Sequence, residues 1–280
     1  MTNNPPLSVI VPNYNNSRYI DECIGSVLAQ TYKNIEIIII DDASTDGSQE
    51  ILKKYEAEYP FIKVIFNEKN QGVTRNRDTA IRLASGDYIT TLDSDDYYMD
   101  ARKLEKEMTI LKKYRNEGRS NIIAFSDIVL VDKEGERLFP NAKNTVKEGN
   151  IFKNIFARDC MVPRDFIFTK QQYFDTGGFD IDIPIYEDWD LKLRLAKHNA
   201  FYFTGVEGIG YRRHGEGLSA ANNNKHVKWL KYIYKKNSGL IDKEDKAYID
   251  KALDRFMQKA FAGSIKTKLK DKIKTLIGRK

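Results

Sequence analysis

Cysteine is scarce in this chain of 280 residues, with two in all, Cys23 and Cys160, far apart. That excludes a disulfide framework or a zinc cage and fits a reducing compartment. No stretch approaches the roughly 20 apolar residues that cross a bilayer. The polar start MTNNPP lacks the charged-then-apolar layout of a secretory leader. A soluble, cytoplasmic protein is the expectation. There is no internal repeat and no low-complexity tract, and little excess of either charge: 46 Lys and Arg against 40 Asp and Glu leave +6. A nucleic-acid binder would carry a basic stripe interleaved with aromatics, whereas residues 1–100 carry acidic clusters, so no nucleic-acid partner is expected.

What is present can fill a sizeable core, since 41% of the residues are hydrophobic. Short β-branched runs alternate with helix-like segments over the first hundred residues. Strands are expected at 7–12, 35–41, 62–67 and 87–92, and helices at 17–30, 46–58 and 72–84. This is the pattern of a parallel α/β sheet. The run IEIIIIDD is apolar on consecutive positions, as in a strand covered on both faces. Ligands then gather at the strand C-termini. Beyond Asp93 the pattern loosens: a charged helix at 102–115, a strand at 121–131, a turn at 133–136, then loop, short helix and short strand over 141–185. Gly177 and Gly178 break the chain before a helix that starts near Glu187. From about residue 222 the chain reads as helical and lysine-rich.

Three polar clusters follow expected strands and fall at one sheet edge: Pro12-Asn13-Tyr14-Asn15-Asn16, Asp41-Asp42, and Asp93-Ser94-Asp95-Asp96. Any one of them is ordinary turn or cap chemistry, and Asp46 reads as a helix cap. Together they bring up to five carboxylates to one edge. Two carboxylates about 4 Å apart repel by roughly 4 kcal/mol at an effective dielectric of about 20. A divalent cation relieves this, and oxygen ligands without cysteine suit Mg²⁺ or Mn²⁺ shared with substrate phosphates.

Five segments in order, SVIVPNYNNSRYIDECIGSVLAQTY, IEIIIIDDASTDGSQEIL, NQGVTRNRDTAIRLASGDYITTLDSDD, GGFDIDIPIYEDWDLKLRLA and YRRHGEGLS, span residues 8–219. In them the chain resembles the family-2 inverting glycosyltransferases of the GT-A fold, whose sheet is Rossmann-like, mixed and mostly parallel. The resemblance implies that Pro12, Tyr14 and Asn15 line the nucleotide base and that Asp41 or Asp42 accepts from a uracil-like edge. Asn70, Gly72 and Arg77 match a segment that closes over nucleotide and sugar, and there Arg77 pairs with phosphate or with a structural carboxylate. Asp78 and Ala80 depart from the Asn and Gly frequent in that segment, which loosens the link to donor-sugar contacts. Asp93 and Asp95 are the implied metal contacts, with Ser94 beside the nucleotide-sugar and Asp96 a further acidic candidate. The general base falls in Glu187-Asp188-Trp189-Asp190. A helical wheel favours Asp188, which shares an arc with Trp189, Leu191, Leu195, Ala196 and Lys192, opposite Asp190, Arg194 and Lys197. Arg212 and Arg213 are implied to meet the departing diphosphate, and His214 either joins them or completes the metal sphere.

The resemblance thus implies a UDP-sugar donor, a glycan or lipid-linked acceptor, and bacterial cell-surface polysaccharide assembly. Sugar-nucleotidyl transferases need a Gly-rich basic loop after the first strand, which PNYNNSR does not supply. A receiver-like module leaves Asp93–Asp96 and Glu187-Asp188 without a task. A non-catalytic sugar-nucleotide binder is opposed by the intact Asp188.

The expected division is a transferase domain at 1–221, with a nucleotide-binding half at about 1–96 and an acceptor half at about 97–221, followed by a helical basic extension at 222–280. Within 264–280, Ile265, Leu269, Ile273, Leu276 and Ile277 recur at spacings of three and four. Lys266, Lys268, Lys270, Lys272 and Lys274 surround Asp271. Such a basic amphipathic helix either packs on the enzyme body or lies on the inner face of a membrane. On the membrane reading, each lysine near an anionic bilayer contributes on the order of 1 kcal/mol, screened by salt. A chain ending at Gly263 is then expected to keep donor binding yet stop co-sedimenting with anionic vesicles at low salt. Full-length protein that ignores those vesicles rules the membrane reading out.

Overall fold

The computed structural model describes residues 4–138, 146–160, 162–213 and 223–258. Its elements begin with β1 (Leu7–Asn13), α1 (Ile20–Leu28), β2 (Ile35–Asp41), α2 (Ser48–Glu58), β3 (Ile62–Phe66), α3 (Val73–Leu83) and β4 (Tyr88–Thr91). There follow β5 (Tyr97–Tyr98), α4 (Lys103–Asn116), β6 (Ile122–Val131), α5 (Phe152–Ala157), β7 (Phe168–Thr169), α6 (Lys170–Asp175), α7 (Glu187–His198), β8 (Ala200–Arg212) and α8 (Asn223–Asn237). Residues 243–258 are helical as well. No helix among the described residues is long and apolar enough to cross a membrane.

The main sheet has the order β3-β2-β1-β4-β7. Its first four strands are parallel, and β7 runs antiparallel against β4. The consecutive isoleucines of β2 divide between two cores. Ile38 and Ile40 pack with Ala80 and Ile81 of α3 and Leu191 and Leu195 of α7. Ile37 and Ile39 pack with Ile20, Ile24 and Val27 of α1 and with Leu52 of α2. Each side chain so buried is worth about 1.5–3 kcal/mol, which fixes the register and therefore where the strands end. Asn13 lies opposite Asp41 in that register, so the turn chemistry after β1 and β2 meets at one edge.

A second sheet, in the order β5-β8-β6, was not legible in the sequence. Its long strand β8 carries Gly205, Gly208 and Gly210, which weaken any strand pattern. Two of these glycines answer to close packing. A Cβ at Gly208 would sit 2.6 Å from Ser126 Cβ, and one at Gly210 would sit 2.5 Å from the Tyr97 ring. The expected turn at 133–136 is present and is closed by Asp132 N–H donating to Glu136 O at 2.8 Å.

The wheel's polar arc on α7 is not a solvent face. Asp190 is fully buried and accepts from Arg194 at 2.6 Å, Lys236 at 3.0 Å and Asn237 at 2.8 Å. Helix α8 covers it, and Leu230, Ile233, Ile249 and Leu253 from the expected extension join the same core as α3 and α7. A wheel drawn from sequence cannot see a partner helix that arrives 40 residues later. Removing one member of a buried charged network costs about 3–5 kcal/mol. Asp190→Ala is expected to lose about that in urea unfolding, with hydrogen-exchange protection falling first in residues 223–258.

Candidate active site

The edge where β1, β2 and β4 end is built mostly from carboxylates whose partners belong to the chain itself. Asp41 is buried and accepts from Asn13 Nδ2 at 2.8 Å, Ser44 N at 3.0 Å and Gln49 Nε2 at 2.9 Å. Asp42, also buried, accepts from Asn67 Nδ2 at 2.8 Å and from the backbone N–H groups of Gln71 at 2.8 Å and Gly72 at 2.9 Å. These N–H groups solvate the pair within the fold, and Asp42 thereby pins the loop that enters α3. Gly72 makes that turn at φ +88°. A carboxylate offers about four acceptor positions, so each keeps room for one further N–H. Asn13 Oδ1 is buried beside them without a hydrogen-bond partner. Asn15, in the left-handed region at φ 52°, accepts from Thr45 N at 2.9 Å and joins the first loop to the second. Pro12 is buried, Tyr14 is 49% exposed with its ring at the mouth of this edge, and Asn70 is exposed. Asp46 accepts from Ser48 N at 3.0 Å at the start of α2, as a cap does, and from Ser17 N at 2.7 Å.

Beyond β4, carboxylate oxygens of Asp93, Asp95 and Asp96 lie within 4.8 Å of one another. The expectation that such a cluster must rely on a metal for its charge balance needs correction, because two arginines already sit in it. Arg77, fully buried on α3, donates to Asp93 and, from its other terminal nitrogen, to Glu187 at the head of α7. Of the two partners considered for Arg77, it takes carboxylates. Arg164 bridges Asp93 at 2.7 Å and Asp96 at 2.8 Å. Burial works against the Asp93 charge, but Arg164 and then Arg77 outweigh it and hold the carboxyl below its ordinary range. Burial and then Asp95 push Asp96 well above its own. Ser94 is buried and accepts from Asn16 Nδ2 at 2.8 Å.

Of the two carboxylates at the head of α7, Glu187 is 6% exposed and held by Arg77, and burial lifts its pKa. The Asp188 side chain is 29% exposed and pairs with Lys192 at 2.9 Å. Burial opposes its charge too, but Lys192, with Arg164 and Arg77 beyond, keeps it ionised well below the ordinary range. Asp188 lines a small cavity with Arg77, Arg164, Thr91, Phe166, Phe168 and Phe179. Of the pair, Asp188 is the more accessible carboxylate.

Arg212 is buried and occupied. Its side chain donates to Asp95 O at 2.8 Å, Lys133 O at 3.0 Å and Glu22 at 2.5 Å, and its backbone N–H donates to Asp96 at 2.8 Å. It clamps the acidic loop, while Arg213 is exposed and stacked over Tyr211 at 5.1 Å. His214 and the 264–280 segment lie outside the described residues. Sequence reasoning missed Arg164 and its neighbour Asp165, because a cation in an unpatterned loop carries no signal of the charge it will face.

With the geometry in view, the comparisons are direct. The fold is that of the GT-A glycosyltransferases. Staphylococcus aureus TarS 1–349 in complex with UDP-GlcNAc superposes with a TM-score of 0.70 at 21% identity, over 92% of this chain and 73% of that one. A Pyrobaculum calidifontis mannosyltransferase in complex with GDP-Man and Mn²⁺ gives 0.66 at 18%, over 93% and 74%. The model for glycosyl transferase family 2 matches residues 8–181, and the chain belongs to that family. Escherichia coli chondroitin synthase is 32% identical over 228 residues, 77% of this chain and 30% of the synthase. The chain spans 30–41% of the length of several curated relatives it matches.

Asp165 yields a stability prediction. It is 2% exposed, its Oδ1 has no hydrogen-bond partner, and burial lifts its pKa from 3.8 to about 6 against the pull of Arg164. A carboxyl whose folded pKa is raised binds its proton more tightly when folded. Its cost to stability is therefore absent below about pH 4 and complete above about pH 6. Asp165→Asn is expected to stabilise the protein by about 2 kcal/mol at pH 8 and not at pH 4, as read by urea unfolding at both.

Proposed function

We propose that this chain is an inverting glycosyltransferase that moves a sugar from a UDP-sugar, with Mn²⁺ or Mg²⁺, to a hydroxyl of a glycan or lipid-linked acceptor in bacterial cell-surface polysaccharide synthesis. The observation that carries this reading is the meeting of an acidic cluster with one accessible, ionised carboxylate, Asp188, whose neighbour Glu187 is tied to Asp93 through Arg77. The donor set fits a hard divalent cation, since the group that converges there among the described residues is three carboxylates. Asp93 and Asp95, the two partly exposed members, would hold the ion, which would neutralise the donor's diphosphate. His214 remains a candidate for the same sphere or for the diphosphate itself, together with Arg213.

Support for the donor comes from the edge beside it. The exposed Tyr14 ring offers a stacking face, and Asn13, Asp41 and Asp42 offer acceptors to a base N–H. TarS binds UDP-GlcNAc on this fold, and chondroitin synthase builds a polysaccharide. At the reacting end Asp188 takes the proton of the acceptor hydroxyl while that oxygen attacks the anomeric carbon. The bond to the diphosphate breaks on the opposite face. A carboxylate kept as acidic as Lys192 keeps Asp188 receives the proton late, once the forming bond has made the hydroxyl acidic. Arg77 and Glu187 fix where that carboxylate stands relative to Asp93.

Asp188→Asn is expected to bind UDP as the parent does in calorimetry with Mn²⁺, while sugar transfer or donor hydrolysis falls roughly 10²-fold or more. UDP binding that is indifferent to a chelator refutes the metal assignment, and full turnover by Asp188→Asn removes it as base. A parent that binds donor and never hydrolyses or transfers it is a binding protein instead.

A further inference from the structure

Helix α5 ends at Arg158, which adopts the left-handed conformation at φ 56°. Three aromatic rings surround its guanidinium, with centroids at 5.0 Å for Tyr186, 5.2 Å for Trp189 and 4.7 Å for Phe256. No carboxylate answers it: no hydrogen bond or ion pair joins this side chain to any described residue. The acids nearby are engaged elsewhere, Asp159 with Lys147 at 3.3 Å and Asp188 with Lys192 at 2.9 Å. Ring faces attract a cation but accept none of its five N–H donors in the plane. Burial consequently lowers its pKa, against weak support from Tyr186 and Asp188. A half-buried guanidinium surrounded by aromatic rings, with no ion-pair partner among the described residues, is a costly arrangement unless an anion completes it.

Its position says which anion. Tyr186 and Trp189 flank Glu187-Asp188 in the chain, so the guanidinium stands beside the head of α7, on the α5 side of the base. A second polar atom at the same cluster also lacks a partner, His226 Nδ1, whose ring lies 5.6 Å from Tyr186. Among the described residues, four that are not glycine have positive φ. Asn15 and Ala43 lie in the loops at the donor edge, and Arg158 and Tyr186 lie here. Backbone held in that region at a cost marks ligand sites more often than plain scaffold. The donor's diphosphate has its own cluster at Asp93–Asp96, which leaves this cation to the other substrate.

We propose that Arg158 is an anion site for the acceptor, binding an oxyanion on the acceptor sugar, a uronate carboxylate or a phosphate, beside Asp188. This rests on the transferase reading above, and it narrows the acceptor from any glycan to a negatively charged one. The rings of Tyr186 and Trp189 hold the guanidinium plane so that its N–H edge remains for a bidentate contact.

The test uses the full chain with Mn²⁺ and UDP, and ligand-observed NMR titrations of methyl glucuronide, methyl glucoside 6-phosphate and neutral methyl glucoside. At least one anionic probe is expected to bind about tenfold more tightly than methyl glucoside, the scale of one charge-assisted hydrogen-bonded contact. The carboxylate and phosphate arms show which source is preferred. Arg158→Met should erase the preference and leave UDP binding unchanged, and Arg158→Lys should retain part of it, which separates lost charge from lost packing. Equal binding of all three probes by the parent overturns the proposal, as does an undiminished preference in Arg158→Met. A parent that hydrolyses UDP-sugar but shows no preference sinks only this inference. A parent without hydrolysis on any UDP-sugar sinks the transferase reading instead.

Discussion

The buried guanidinium of Arg77 is the contact on which the site's geometry depends. It sits on α3, reaches Asp93 after β4 with one terminal nitrogen, and reaches Glu187 at the head of α7 with the other. Two acidic motifs separated by 94 residues are thereby held to a single planar group. The guanidinium is rigid and charged at every relevant pH, so it transmits position as well as charge. A lysine in its place would offer one mobile point charge and no fixed angle between Asp93 and Glu187. The Arg77 side chain is 2% exposed, and the low local dielectric that comes with burial strengthens both pairs.

From that anchor the remaining charges distribute in a chain. Arg164 joins Asp93 to Asp96, and Lys192 engages Asp188. Further in, Lys103 is fully buried with Glu107 at 2.9 Å and also donates to Asp165 O at 2.9 Å, while Ser126 donates to the other Glu107 oxygen at 2.7 Å. That last group ties α4 to β6 and to the loop carrying Arg164. Buried ion pairs of this kind add little net stability over apolar packing, but they are costly to break singly. Their effect is to fix one arrangement of α4, β6 and the Arg164 loop behind the acidic cluster.

The sequence showed the main sheet clearly because its strands are buried on both faces, and runs such as IEIIIIDD have no other use. It also showed which polar residues stand at the strand ends. What it could not show was the partner of each. Asp41 and Asp42 look like ligand-binding carboxylates, yet three protein donors already hold each of them. Arg212 looks like a phosphate contact and is a clamp on Asp95 and Asp96. Arg164 carried no pattern at all. Pairing across 70 to 190 residues is decided by tertiary packing, and a single sequence records residue types without their partners. Strand β8 was hidden for a different reason, since its glycines exist to admit Tyr97 and the Ser126–Lys103 contact.

The same pairings bear on how a donor and a cation would enter. Because Arg77 and Arg164 neutralise Asp93 within the fold, the acidic cluster does not need a bound ion to stay folded. An incoming divalent ion must share Asp93 with those arginines, and Asp95 is the other partly exposed carboxylate of the cluster. One or two carboxylates bind Mg²⁺ or Mn²⁺ weakly unless phosphate oxygens complete the coordination. On the proposed reading, cation and nucleotide-sugar therefore bind as a unit, each raising the affinity of the other by the same factor. On that reading Arg164, between Asp93 and Asp96, would supply the charge balance of the cluster whenever no ion is bound.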